Sequence, residues 1–482
     1  MLSKTDFISH FHEEISFPPT SGQEEAMERL SSFVCEKSDN QLFILKGYAG
    51  TGKTTLVSAL VRTLSRYRLR SVLLAPTGRA AKVFSNYAQR KAFTIHKHIY
   101  RVKMVDGILN FSRKENKFVN TLFIVDEVSM ISDSSSSLSD LFSRRSLLED
   151  MIQYTFEGEN CKLLFIGDEA QLPPVHSEDS PALMDEYLHQ NFNLGMESYQ
   201  LKEVVRQALH SGILSNANRL RERITEEDFC FPLFSNTPFP DFSNVLGMDL
   251  EELLNTLYSK YESDEIVTIT RSNKRAYIYN NEIRNRLLYR ENTIAAGDYL
   301  MAVKNNYYWV DETSEVGFIA NGDMLELMGI SKIEELYGFR FANVTVRLCD
   351  YPNHPTIDIK IILDSLSCEG PSLTSEQNSI LYHEIAKDYE DIADKRLRYL
   401  KIKNDPYLNA LQVKFGYSLT CHKTQGGQWK VVLIDQIFFK DTPSDKDTLR
   451  WLYTAITRAT EKVFLINFPE KVFDSTQMTQ IL

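Results

Sequence analysis

Cysteine is sparse and dispersed. Cys35, Cys161, Cys230, Cys349, Cys368 and Cys421 include no close CxxC pair and no Cys/His spacing of the zinc type. That excludes a disulfide framework and a zinc module, and the six read as reduced thiols of a cytosolic protein. The opening stretch MLSKTDFISHFHEEISFPP has no basic segment followed by an apolar one. No run approaches the roughly 18 apolar residues that a membrane span needs. The expectation is a soluble chain in the cytoplasm with no membrane partner. Internal repeats and low-complexity tracts are also missing, and the serine run 134–137 is long enough only for a loop.

An excess of positive charge is missing as well: the 482 residues carry a net charge of -11, which on its own argues against a polyanionic partner. The average hides a strong asymmetry. Between Gln41 and Asn120, sixteen Lys or Arg stand against only Asp106 and Glu115, while acids gather in stretches such as 149–159 and 241–265. A short basic run is usually a solvated face, but one of eighty residues favours a phosphate-binding surface.

The length suits several domains, and 43% hydrophobic residues supply a core to each. Continuous apolar runs at 41–47, 71–76, 121–127 and 161–169 alternate with helical stretches such as 53–68, which predicts an α/β unit with a parallel sheet flanked by helices. Runs at 265–271, 429–435 and 462–468 repeat the style and predict a second such lobe. An Asp-Gly pair between alternating residues predicts a β-hairpin over 100–118. Short β-like stretches over 297–366 predict a small barrel, and 375–402 reads as strongly helical.

GYAGTGKT, Gly47 to Thr54, follows a strand and opens a helix, the context that a phosphate-binding loop requires. Its backbone N–H groups and the helix N-terminus face phosphates, with Lys53 on the β- and γ-phosphates and Thr54 on magnesium. Asp126 and Glu127 end an apolar strand, where ligands of parallel sheets bind. The first can reach magnesium, and the second can orient and deprotonate a water. These residues alone indicate a P-loop NTPase and leave the use of the energy open.

The motifs taken in order narrow this. FPPTSGQEEA (17–26), GYAGTGKTT, LLAPTGRAAK (73–82), FTIHK (93–97), VDEVSM (125–130), GDEAQLPPV (167–175), LKEVVRQ (201–207), YSLTCHKTQGGQW (417–429) and YTAITRAT (453–460) resemble the motif series of superfamily 1B helicases of the RecD-like, Dda-like and Pif-type group. The resemblance covers most of the chain. It implies two RecA-like P-loop NTPase lobes, a β-hairpin insertion and a small SH3-like β-barrel insertion. It divides the chain into domain 1A (1–85 and 119–200), domain 1B with the hairpin (86–118), domain 2A (201–296 and 408–482) and domain 2B (297–407).

It further implies ATP held by Gln23, Gly47, Ala49, Gly50, Thr51, Gly52, Lys53, Thr54, Thr55, Gly426 and Gln428, with Mg2+ on Thr54 and Asp126. Catalytic roles fall to Lys53, Asp126, Glu127, Gln171 as γ-phosphate sensor, and Arg206 and Arg458 as arginine fingers. An arginine placed across a cleft stabilises transition-state charge and couples closure to hydrolysis. Motif V of the group usually has Glu where this chain has Gln428.

Directed motion requires each lobe to grip a strand differently in its two states. The expected grips on single-stranded DNA are Pro76, Thr77, Arg79, Thr94 and His96 in the first lobe, and Thr420, His422 and Lys423 in the second. By position the hairpin resembles the family's pin, a wedge for a duplex fork, and Arg101, Lys103, Arg113, Lys114 and Lys117 suit phosphates; an ordinary surface hairpin is the alternative. The implied activity is ATP-dependent unwinding with 5′ to 3′ movement by a monomer, serving repair, recombination or replication beside single-strand-binding or replication proteins. Two alternatives stand: a strand-stimulated ATPase or translocase subunit of a larger complex, and a non-motor P-loop switch.

Overall fold

The computed structural model describes residues 3–36, 40–105, 108–133, 146–203, 211–231, 233–235, 239–311, 314, 316–351, 354–435 and 445–474, and over 102–111 the backbone alone. Helices α1 (Lys4–Glu13) and α2 (Ser21–Cys35) precede β1 (Gln41–Gly47), α3 (Lys53–Arg66), β2 (Arg70–Ala75), α4 (Gly78–Ala88), β3 (Ala92–Thr94) and α5 (Ile95–Ile99). A hairpin of β4 (Tyr100–Val105) and β5 (Ile108–Arg113) follows. Then come β6 (Thr121–Val125), α6 (Leu147–Glu157), β7 (Lys162–Gly167), α7 (Asp185–Asn191) and β8 (Gly195–Leu201).

These strands form a wholly parallel sheet in the order β3-β2-β6-β7-β1-β8. Every residue of β6 and β7 is buried, because helices cover both faces, and this is why the sequence there is apolar without alternation. β3 and β8, short or half-exposed at the two edges, lie outside the runs that the sequence predicts. The hairpin pairs Tyr100 with Arg113 through to Val105 with Ile108. Its Asp106-Gly107 turn lies outside the described residues.

The second half contains α8 (Gly212–Glu226), β9 (Phe242–Val245), α9 (Leu250–Lys260), β10 (Ile266–Thr270) and α10 (Asn273–Glu282). Strands β11 (Tyr299–Ala302), β12 (Met324–Leu336), β13 (Phe339–Leu348) and β14 (Ile357–Ile362) come next, then α11 (Asp364–Ser367), α12 (Ser375–Lys387), α13 (Lys395–Lys403) and β15 (Leu411–Phe415). β16 (Ser418–Thr420), α14 (Cys421–Thr424), β17 (Trp429–Ile434), α15 (Lys446–Ile456) and β18 (Ala459–Ile466) complete it. A second parallel sheet runs β16-β10-β17-β18-β9, and β11 to β15 close a barrel whose last strand follows the helical segment. The fold is α/β, with two parallel-sheet lobes, a hairpin and a barrel insertion.

The expected helical stretch 375–402 is two helices. The acids of 388–394 break it, and Asp394 caps α13 by accepting from the N–H groups of Arg396 and Leu397. Among the described residues no helix is long and apolar enough to cross a membrane.

The lobes meet along α15, which is buried from Thr448 to Ile456. Its Thr454 Oγ1 accepts from Leu172 N (2.8 Å), and Arg450 donates to Glu178 O (2.6 Å) and Asp179 (2.8 Å) in the first lobe. Gln425 Nε2 donates to Leu172 O (2.7 Å). Beside these bonds, Ala170 and Leu172 of the first lobe are buried in the hydrophobic cluster of the second.

Candidate nucleotide cleft and nucleic-acid face

β1 ends at Gly47, and the chain turns through Gly50 and Gly52, at φ 76° and 82°, before α3 begins at Lys53. Only glycine enters that left-handed region without strain, and the turn leaves the start of α3 facing a cleft of about 550 Å3. Lys53 Nζ donates to Gly47 O (2.6 Å) and Tyr48 O (2.9 Å), so the ammonium lies inside the loop. Gln23 is a hinge between two tasks: it closes the capping box of α2 with Thr20, and its Nε2 donates to Thr51 O (3.0 Å).

Asp126 and Glu127 leave the C-terminal end of β6 into the same cleft. Glu127 has φ 53°, a left-handed backbone that is unfavourable for a residue with a Cβ, and the next three residues wind into a single helical turn. Tyr87 of α4 donates to Asp126 Oδ2, and Glu127 N to Asp126 Oδ1 (2.8 Å). Burial, then the neighbouring Glu127, pushes the Asp126 carboxyl up to about 6, while the Tyr87 bond pulls it back. Gln171 is buried in the wall, and among the described residues its Oε1 has no hydrogen-bond partner.

The opposite wall comes from the second lobe. Arg458 is 5% exposed, and its guanidinium donates to Thr454 O (3.1 Å), Gly427 O (3.4 Å) and Thr457 Oγ1 (3.3 Å). Its Nη1 lies 3.6 Å from Glu127 Oε1 across the cleft. Gln428 lines the same wall. Thus Gln23, Ala49, Gly50, Gly52, Lys53, Thr54, Thr55, Asp126, Glu127, Gln171, Gln428 and Arg458 share one cleft, with Gly47 and Thr51 tied to it by their hydrogen bonds. Thr54 and Asp126 offer it a hydroxyl and a carboxylate, the hard oxygen donors that suit Mg2+. Gly426 is elsewhere, packed on Thr77 and Ala80. Arg206 lies outside the described residues.

Three residues that touch this machinery escaped the sequence reading. Tyr453 OH accepts from Ala49 N (2.8 Å) and donates to Asp168 Oδ2 (2.6 Å), tying α15 to the phosphate loop. Tyr87 is the third. Tyr453 and Asp168 stand inside quoted motifs, whereas nothing in the sequence around Tyr87 marks it.

Of the expected strand contacts, Pro76 and Thr77 lead into α4, where Thr77 Oγ1 accepts from Ala80 N (3.2 Å). Arg79 reaches across the seam, with its guanidinium 3.7 Å from the Trp429 ring centre and bonded to Gln428 O (3.2 Å). Thr94 caps α5, and burial pushes His96 down to about 4, so this imidazole is neutral at pH 7. Thr420, His422 and Lys423 cluster at the start of α14; burial lowers His422 and brings Lys423 to about 8, with Lys414 adding repulsion. At the hairpin base, Arg113 pairs with Glu157 (2.5 Å) and Asp150 (3.6 Å), and Lys114 donates to Lys97 O (2.8 Å), so both face inward rather than outward to phosphates. Lys117 is exposed, Arg101 bonds Ser112 (3.1 Å), and the Lys103 side chain lies outside the described residues.

A family profile described as an AAA domain matches residues 19–230, and one described as a UvrD-like helicase C-terminal domain matches 415–466. The two matches fall on the two lobes in the order of the motifs. The two matches, with the motif order, support a superfamily 1B helicase of the Pif and RecD-like kind. The chain is 22% identical to the RecBCD enzyme subunit RecD of Buchnera aphidicola, over 91% of this chain and 71% of that one. It is 30% identical to the ATP-dependent DNA helicase dda of Enterobacteria phage T4, over 36% of this chain and 37% of that one. An uncharacterized protein of Acanthamoeba polyphaga mimivirus is 23% identical over 92% of this chain and 98% of its own length. A crystal structure of Pif1 helicase from Bacteroides, with ADP-AlF3 and ssDNA, aligns over 96% of this chain and 95% of its own at 15% identity and a TM-score of 0.48.

Proposed function

We propose that this chain is an ATP-driven motor that moves 5′ to 3′ along single-stranded DNA and separates duplexes. The observation that carries the reading is the cleft itself, with Lys53 and Glu127 on one lobe and Arg458 on the other, 3.6 Å from Glu127. Lys53 neutralises the β- and γ-phosphates of ATP, Glu127 orients the attacking water and takes its proton, and Gln171 reads the γ-phosphate. Arg458, with Arg206 as its partner finger, stabilises charge on the transferring phosphoryl group and so links hydrolysis to closure. Thr54 and Asp126 would hold Mg2+, which would supply charge neutralisation for the triphosphate. Tyr453 couples the phosphate loop to α15, so loss of the γ-phosphate is transmitted to the second lobe.

The grips are Pro76, Thr77, Arg79, Thr94 and His96 on one lobe and Thr420, His422 and Lys423 on the other; contacts to phosphate make them indifferent to sequence. The domain division is the one in the sequence analysis, with β15 (411–415) joining the barrel as its closing strand. The hairpin serves as the wedge at the fork. Similarity to a protein named as a RecBCD subunit favours one second reading, a translocase that works inside a larger complex. Duplexes with a 5′ or a 3′ single-stranded tail, incubated with and without ATP, test the proposal. ATP-dependent separation confined to the 5′-tailed substrate is expected; separation from the 3′ tail overturns the polarity, and strand-stimulated hydrolysis without separation on either tail favours the translocase.

A further inference from the structure

The face of the first lobe assigned above to the strand is covered by the barrel. Lys82 of α4 donates to Cys349 O (2.7 Å) and pairs with Asp350 (3.5 Å), and Lys97 donates to Ser314 O (3.4 Å). Between these contacts, Asp323, the residue before β12, presses on the first residue of α4: a Cβ at Gly78 would collide with Asp323 Oδ1. Asp323 is 3% exposed, its Oδ2 accepts from Ala320 N (2.7 Å), and among the described residues its Oδ1 has no hydrogen-bond partner. A buried carboxyl oxygen without a partner is costly, and here it is aimed at a helix N-terminus, the kind of backbone site that binds phosphate.

We propose that Asp323 and a backbone phosphate of the strand compete for the same place against the N-terminus of α4, so that a strand entering there expels the Asp323 carboxyl from the seam into water. The proposal rests on the strand-binding reading above. The charged group that acts on Asp323 is Asp350, just after β13; Lys82 of α4 pairs with Asp350, which also acts on Arg79 and on the Cys349 thiol, as Asp264 does from beyond. Asp350 repels the ionised form of Asp323, and its own Oδ2 is buried with no hydrogen-bond partner among the described residues.

Burial, then Asp350, pushes Asp323 up to about 8 in the seam, and release returns it to the ordinary carboxyl range. Entry of a strand therefore releases a proton, and this contribution to strand affinity grows as pH rises from the carboxyl range toward about 8, by at most tenfold per pH unit. Lys and His contacts to phosphate give the opposite slope. Because they titrate alike in wild type and in an Asp323 variant, the difference between the two profiles isolates the seam.

Fluorescence anisotropy of a labelled oligothymidine, measured at constant salt from about pH 6 to about pH 8, makes the test. Relative to Asp323→Asn, wild-type affinity is expected to climb by more than about tenfold over that range. Asp350→Asn removes the repulsion, so its rising limb should end at lower pH; this variant keeps the test alive if Asp323→Asn does not fold. Parallel profiles for wild type and Asp323→Asn, or an Asp350→Asn profile that superimposes on wild type, overturn the proposal alone. A wild-type protein that binds no oligothymidine at any pH overturns the strand-binding reading with it.

Discussion

Replacing Arg458 by alanine removes a guanidinium that three hydrogen bonds hold in place, with Glu127 3.6 Å away. A group so fixed loses little freedom when it meets the developing charge, so its effect belongs to the transition state rather than to ATP binding. Arginine fingers contribute on the order of 10^3 to 10^5 in turnover. At the lower end, kcat for strand-stimulated hydrolysis falls by about 10^3, a barrier higher by about 4 kcal/mol, while KM for ATP moves by no more than a few-fold. Arg458→Lys keeps the charge but not the planar fork and should recover only part of the rate. Thermal unfolding of each variant accompanies the kinetics, because Arg458 is buried and its removal also leaves Glu127 without its partner. A folded Arg458→Ala protein with kcat within about tenfold of wild type refutes the reasoning.

Lys53→Ala should abolish turnover yet leave oligonucleotide affinity within a few-fold of wild type, since Lys53 donates to Gly47 O and Tyr48 O of the phosphate loop; equal losses in an anisotropy titration contradict that separation. Removing residues 105–112 from the hairpin should lower unwinding well below its effect on hydrolysis, and parallel losses would make β4 and β5 purely structural. Asp298 accepts from Arg284, Arg290, Ala295 N and the Tyr417 hydroxyl at the base of the barrel, and it is fully buried. Asp298→Ala strands Arg284, itself 3% exposed, and should cost about 3–5 kcal/mol, read as earlier denaturant unfolding; an unchanged midpoint would show that the pair is dispensable.

The phosphate loop, the Asp126-Glu127 tip and the central strands were legible because each is local. A Gly-rich turn between a strand and a helix, and an apolar run ending in acids, carry their geometry within a few residues. Edge strands such as Gly195–Leu201 were not, because half-exposed pairing leaves no apolar run to read. Tyr87 meets Asp126 only after α4 folds back over β6, a contact spanning 39 positions that no local pattern encodes. Gly426 sits inside a motif, yet it packs on Thr77 and Ala80 rather than lining the cleft, because the seam forms between motifs that are distant in sequence. The barrel was legible as alternating short strands, but its closure by β15 depends on a chain return after α13.

The central claim is that ATP held between two lobes is sensed by a strand lying across both. Steady-state hydrolysis by the full chain, with and without saturating oligothymidine, tests it most directly. Stimulation of at least about tenfold in turnover, lost in Arg458→Ala, is the expected result. Hydrolysis that proceeds at one rate whether or not a strand is present would contradict the account and leave a nucleotide switch in its place.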